Sequence, residues 1–306
     1  MSLAFALVVG AVIVAWWGPV ALRLCFHRVA DPLAVLLGWL CLPFAVLATF
    51  GAAVAVLLAP SVAHDVALRE LAQFCWHWAR PSRVPALDEA LGMAGALTML
   101  VVLARFAVGC GRRARTARRT RRVHADLMTL SGLPPDSGGV PVLWIPHPTP
   151  LAYSVGGSGG VTVVATSARD LPSDQLAAVL SHERAHLRER HHLLVSVVEG
   201  LAAAMPWLPL TREAPSAVRL LVELRADAAA VRECGQSAVR AALLAFAGAP
   251  HPPSTLSMAG AETAIRLRRL QEPLPRRRSL IRGVLASMAL TAPMGIGLFA
   301  AVITCI

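Results

Sequence analysis

The sequence predicts a mainly α-helical membrane protein, with four transmembrane helices and one compact α+β domain that carries a small β-sheet. Three observations lead there. First, with 56% hydrophobic and only 15% charged residues over 306 positions, the chain is too apolar for an ordinary soluble domain. Second, four apolar runs approach or exceed the roughly 20 residues needed to cross a bilayer: Leu3 to Leu22, Leu33 to Ala59, Ala90 to Gly109 and Gly283 to Ile303. Third, the basic residues, all of them arginine, crowd the borders of those runs, with seven from Arg112 to Arg122 and three more at Arg276, Arg277 and Arg278.

Each run reads as a helix. Pro43 and Pro293 kink without excluding a span, because neighbouring groups in a membrane bundle re-satisfy the freed backbone. Arg105, near the end of the third run, is expected to snorkel toward the basic cluster. The first run does not resemble a signal peptide, since its arginines, Arg23 and Arg28, follow the apolar stretch. Orientation follows from the arginine bias. The loop from Pro60 to Glu89 carries three arginines against four acids, so every strong basic cluster shares one side if the N-terminus lies outside. Both termini are then outside, and the domain between the third and fourth spans is cytoplasmic. The expected organisation is a three-span module over residues 1–111, a cytoplasmic domain over 112–279 and a C-terminal transmembrane helix over 280–306.

Six scattered cysteines with no C-x-x-C pair argue against a disulfide framework or a cysteine metal cage. The net charge of +11 suggests nucleic acid until its location is considered. No aromatic residues interleave the run from Arg112 to Arg122, so anionic lipid headgroups are the expected partner and no direct nucleic-acid binding is expected.

Within the cytoplasmic stretch, Ser131 to Gly139 reads as a linker and Gly156 to Gly160 as a hairpin connection. Val161 to Thr166 is short and β-branched, hence a strand, with Val140 to Ile145 or Leu151 to Val155 as its partner. Leu171-Pro172-Ser173-Asp174 opens a helix, with Ser173 as the N-cap and Asp174 favourable in the first turn. Leu193 to Leu210 resembles a further span, but Pro206 and Pro209 leave only Leu193 to Met205, about 20 Å of helix against a core of about 30 Å. It is read as packed within the domain or dipping into the interface.

The helix from Ser173 carries His182-Glu183-Arg184-Ala185-His186, the H-E-x-x-H pattern. Residues four apart on a helix lie one above the other, so His182 and His186 can present two imidazoles to one metal while Glu183 reaches a water beside it. Composition predicts only about 0.01 chance occurrences of this pattern. The opposing reading, a charged solvated face populated by Arg184, Arg188, Glu189 and Arg190, conflicts with the apolar turns before it. A catalytic zinc needs a third protein ligand and an open position. Glu223, in Glu223-Leu224-Arg225-Ala226-Asp227 on the next strongly helical stretch, is the candidate, with Glu213 and Glu233 as competitors. Asp227, one turn on, can accept the N–H of a ligand histidine.

The V-T-V-V-A-T strand, the run L-P-S-D-Q-L-A-A-V-L-S-H-E-R-A-H-L-R-E-R, the E-L-R-A-D block and the span layout together resemble the BlaR/MecR family of membrane zinc metallopeptidases and, more distantly, the HtpX-type gluzincins. The resemblance implies a zincin-like (gluzincin) domain holding one zinc ion per chain in a bacterial plasma membrane. It also implies proteolysis of a cytoplasmic protein, in some members leading to inactivation of a DNA-binding repressor. Two departures stand out. His191 occupies a position that is commonly acidic in the family. The chain ends at Ile306, so the penicillin-binding sensor of some members is not expected, and without lysine its S-x-x-K chemistry is excluded.

The expected chemistry has zinc held by His182, His186 and Glu223, with Glu183 as the general base. The Val161 to Thr166 strand is expected to bind substrate by strand addition, and Tyr153, His251 or Arg266 to stabilise the oxyanion. A stimulus is expected to arrive through the spans, the loop from Pro60 to Glu89 or a separate sensor partner. The alternative function is a catalytically silent membrane signalling or scaffold protein, against which the intact Glu183 argues.

Overall fold

The computed structural model describes residues 3–28, 32–62, 85–131, 142–148, 150–156, 161–247 and 259–271. The fourth apolar run, His251, most of the loop from Pro60 to Glu89 and the linker after Ser131 lie outside these residues. The described residues form two compact units. One comprises the chain up to Cys110 together with Val198–Pro215; the other comprises Gly111–Val197 and the residues from Ser216 onward.

The helices α1 (Leu3–Arg28), α2 (Pro32–Val62) and α3 (Pro85–Ser131) each contain a segment long and apolar enough to span a membrane: Ala4–Phe26, Pro32–Leu58 and Leu87–Arg119. These helices are apolar on every side, the pattern of a helix surrounded by lipid rather than one with a single core-facing stripe. Large side chains such as Ile13, Trp17, Leu97 and Leu100 are exposed accordingly. Small residues allow close approach where helices meet, and a Cβ at Gly200 would press on the sulfur of Cys110 and the ring of Phe106.

The Arg105 guanidinium donates to the carbonyls of Ala203 (2.8 Å) and Ala204 (3.3 Å), at the end of α5 (His191–Ala204). The last carbonyls of a helix have no partner within it, and a nearby cation satisfies them better than a thin layer of lipid can. At 14 residues, α5 is about 21 Å long, too short for a span. A turn over 205–208 follows, with Thr211 Oγ1 donating to the Met205 and Leu208 carbonyls. The next helix, α6 (Pro209–Cys234), begins on Pro209, where the fixed φ favours a first helical residue. The sequence pattern marks Ser216 to Glu233 as strongly helical; the helix starts seven residues before that stretch and runs through Pro215.

The second unit holds three strands, β1 (Val142–Ile145), β2 (Ala152–Val155) and β3 (Val161–Ala165), in the order β1-β3-β2. Both candidate partners of β3 are realised at once, since β1 pairs with it in parallel and β2 antiparallel. This overturns one expectation: a strand paired on both edges has no ladder groups left for a peptide, so β3 cannot be the docking strand. A 3-10 turn over Thr166–Asp170 leads into α4 (Ser173–Arg188). Here Pro172, not Ser173, is the N-cap; its extended backbone makes it the last non-helical residue, and no side chain caps the helix.

The sheet packs on α4 through Val142, Val164 and Ala168 against Leu176 and Leu180. On another side Ala178 and Val179 pack with Ala230 of α6, with Val239 and Ala242 of α7 (Gln236–Ala247), and with Leu270 just past α8 (Ala259–Arg269). Where α4 meets α6 the contact is made by Ala185, Ala226 and Ala229, all buried. Alanines at such a crossing bring two helix axes close, which lets side chains from both reach a common point.

Candidate metal centre

Those alanines sit between the functional residues of each helix. On α4, His182 and His186 flank Ala185 in sequence; on α6, Glu223 and Asp227 flank Ala226. The three ligand-type groups of His182, His186 and Glu223 offer atoms that all lie within 4.8 Å of one another. His182 Nε2 is 3.1 Å from His186 Nε2 and 3.3 Å from Glu223 Oε2, and His186 Nε2 is 3.4 Å from Glu223 Oε1. Two imidazole lone pairs and a carboxylate converging in this way suit a zinc ion with one position left open. The other carboxylates weighed from sequence are engaged elsewhere: Glu213 with Arg23 at 2.5 Å, and Glu233 with Ser181 (2.5 Å) and Arg188 (2.9 Å).

Both histidines are backed on their far nitrogens. His182 Nδ1 lies 3.0 Å from Asp227 Oδ1, and Asp227 is held by Arg266 from α8. His186 Nδ1 lies 3.0 Å from His191 Nδ1; His191 Nε2 is 3.2 Å from Glu189 Oε2, which accepts from Arg225 Nε at 2.6 Å. The His186 backing was missed from sequence, where His191 registered only as a departure from a family pattern.

Electrostatics follow from these contacts. Burial would lower His182, but its hydrogen bonds to Asp227 and Glu223 prevail and raise it to about 10. Burial dominates at His186, which falls to about 4 although Glu223 opposes the shift. Glu223 and Asp227 are both held well below the carboxylate range; burial works against this, and His182 and Arg266 overcome it. Glu183 is raised instead, because burial outweighs the His182 charge and a hydrogen bond from Ser154 of β2. Burial also lowers His191, with Glu189 opposing.

A cleft of about 400 Å³ opens on this cluster. One wall carries His182, Glu183, His186, Glu223, Asp227 and Arg266; another is the β2 segment Ala152, Tyr153 and Ser154; an apolar end is formed from α4 and α7. Of the oxyanion candidates, Tyr153 and Arg266 therefore reach the cleft. Arg266 is not on a solvated face but commits donors to Asp227 and, at 3.0 Å, to Glu223. What the cluster can do chemically is hold a divalent ion beside a buried carboxyl group, Glu183, whose pKa burial raises.

No curated protein and no solved structure matches the chain. The sequence model of peptidase family M48 matches residues 114–220, a segment that contains β1 to β3 and all of α4 and ends three residues before Glu223. Over that segment the chain is similar to peptidase family M48, and its apolar helices and the converging His182, His186 and Glu223 are features that a membrane metallopeptidase would need.

Proposed function

We propose that the protein is an integral-membrane zinc metalloendopeptidase that cleaves a cytoplasmic protein, with a transcriptional repressor as the substrate class suggested by its resemblance to signalling metallopeptidases. The observation that carries this reading is the convergence of His182, His186 and Glu223 beside the buried Glu183 in one cleft. When bound, zinc would polarise the scissile carbonyl and bring the pKa of a water to about 7.

The chain's own residues supply the rest. Substrate lies extended along β2, which among the described residues pairs with β3 on one side only and whose Ala152, Tyr153 and Ser154 line the cleft. Glu183 accepts the proton of the attacking water and returns it to the leaving amine, and the Ser154 hydrogen bond steadies its carboxyl group. Arg266 is committed to Asp227 and Glu223, so we assign the oxyanion to the Tyr153 hydroxyl. The arginine bias supports a cytoplasmic cleft. Exposed Arg112, Arg115, Arg118, Arg119 and Arg122, in the C-terminal half of α3, suit anionic headgroups.

Glu183→Gln tests the reading, because it keeps size and polarity but removes the base. Zinc content should stay near that of wild type while turnover falls by about 10² to 10⁴. N-terminal peptide profiling of cells carrying either form should show cytoplasmic cleavage products in wild type only. Identical profiles, in cells where Glu183→Gln rescues a null phenotype, would establish a non-proteolytic role.

A further inference from the structure

We propose that His191, anchored by Glu189, is a positioning residue that fixes the tautomer and ring orientation of the zinc ligand His186. This rests on the zinc reading above and adds a residue that neither the motif nor the family match assigns to the site.

The contact is not one that a helix provides by itself. Five residues along an uninterrupted α-helix turn the side chain about 140° away, so His191 would point to the far side of α4 from His186. The chain avoids this by ending the helix between them. Glu189 closes the last turn with its N–H on the Ala185 carbonyl, and Arg190 then takes a left-handed conformation (φ 52°) that is uncommon for a residue with a Cβ. Helix α5 begins on His191 itself, and the ring folds back against His186 with the two ring planes nearly perpendicular at 85°. His191 is only 2% exposed, an unusual burial for an imidazole at a helix start.

Hydrogen-bond logic then assigns the protons. Glu189, paired with Arg225, is an acceptor only, so His191 Nε2 carries a hydrogen toward it. A neutral, buried His191 therefore presents a bare Nδ1. The 3.0 Å contact between the two Nδ1 atoms needs one proton, and His186 supplies it. The Nε2 of His186 is left with its lone pair facing His182 and Glu223, the form a metal requires. Asp227 likewise holds a proton on His182 Nδ1 and turns Nε2 toward the cluster, so the two ligands are oriented by two separate relays, one ending on Arg266 and the other on Arg225.

The test uses the full-length protein in detergent, with His191→Leu, His191→Asn and Glu189→Gln. ¹⁵N NMR of labelled histidine in the metal-free protein reads the tautomer of His186 directly, and chelator competition reads zinc affinity. Wild type should show a single Nδ1–H tautomer at His186. His191→Leu should yield a mixture and weaken zinc by about 10 to 100-fold. His191→Asn, which keeps an acceptor near the position of Nδ1, should recover most of that loss; Glu189→Gln should shift both readouts in the same direction but less. A merely structural role predicts altered melting with tautomer and affinity unchanged in the folded variants, and that result overturns the proposal. Should His191→Leu fail to fold, the other two variants decide by the same readouts. Should wild type bind no zinc, the metal reading fails, whereas a single His186 tautomer lost in the variants still upholds the positioning contact.

Discussion

Arg266 grips Asp227 through two parallel hydrogen bonds, Nε to Oδ2 at 2.8 Å and Nη2 to Oδ1 at 2.7 Å, and Asp227 in turn faces His182 Nδ1 at 3.0 Å. A planar fork is what this geometry uses, and a lysine ammonium cannot reproduce it. Arg266→Lys should therefore behave much like Arg266→Ala, each weakening zinc by about 10 to 100-fold through a less constrained His182. Chelator competition would settle it; wild-type affinity in the lysine variant would mean that only the charge matters.

The raised pKa of His182 makes metal binding depend on pH over an unusual range. In the metal-free protein its protonated form contributes stability that is fully present below the ordinary imidazole value of 6.5 and is lost as pH rises through about 10. Zinc must displace that proton, so apparent affinity should keep rising about tenfold per pH unit between about pH 6.5 and 8.5. An unperturbed histidine would level off in the same interval. Affinities at both ends of it, corrected for buffer competition, distinguish the two.

Ser181 and Arg188 engage Glu233 on a neighbouring face of α4, at 2.5 and 2.9 Å. Removing the hydroxyl with Ser181→Ala should cost about 1 kcal/mol, read as a lower melting temperature. Zinc stoichiometry should be unchanged in Ser181→Ala and in Glu233→Gln. A loss of metal in Glu233→Gln would instead name Glu233 as the third ligand.

Arg105 satisfies two carbonyls at the end of α5. Arg105→Leu suits an apolar span better by composition, yet it should destabilise the folded protein by about 1 to 3 kcal/mol because those carbonyls lose their charged partner. Thermal unfolding in detergent would show it, and a more stable leucine variant would rule out the capping role.

Much of the site could be read from sequence because it depends on helix period. The i, i+4 spacing that stacks His182 on His186 also stacks Glu223 on Asp227, and it needs no tertiary information. The β-branched run marks β3 by local propensity, which likewise needs no tertiary information. What period cannot supply is the result of a change in chain direction. His191 reaches His186 only through the left-handed Arg190, a conformation no residue type there signals. Arg266, in R-L-R-R, resembles any exposed basic face until α8 is seen to bring it to Asp227. The docking strand was misassigned because β propensity marks a strand but not whether it lies at the centre or the edge of its sheet.

Because β1 and β2 each hydrogen-bond to β3 and not to one another, the cohesion of the sheet passes through one strand. In synthesis order β1 and β2 both emerge before it, so neither has a partner until Val161 to Ala165 follows. The consequence is cooperativity. Breaking the centre, for example with Val163→Pro at a fully buried position, should release the amides of both neighbours together in hydrogen exchange, whereas a break in β1 should leave the β2 amides protected. The strand that borders the cleft thus owes its order to one that takes no part in the chemistry.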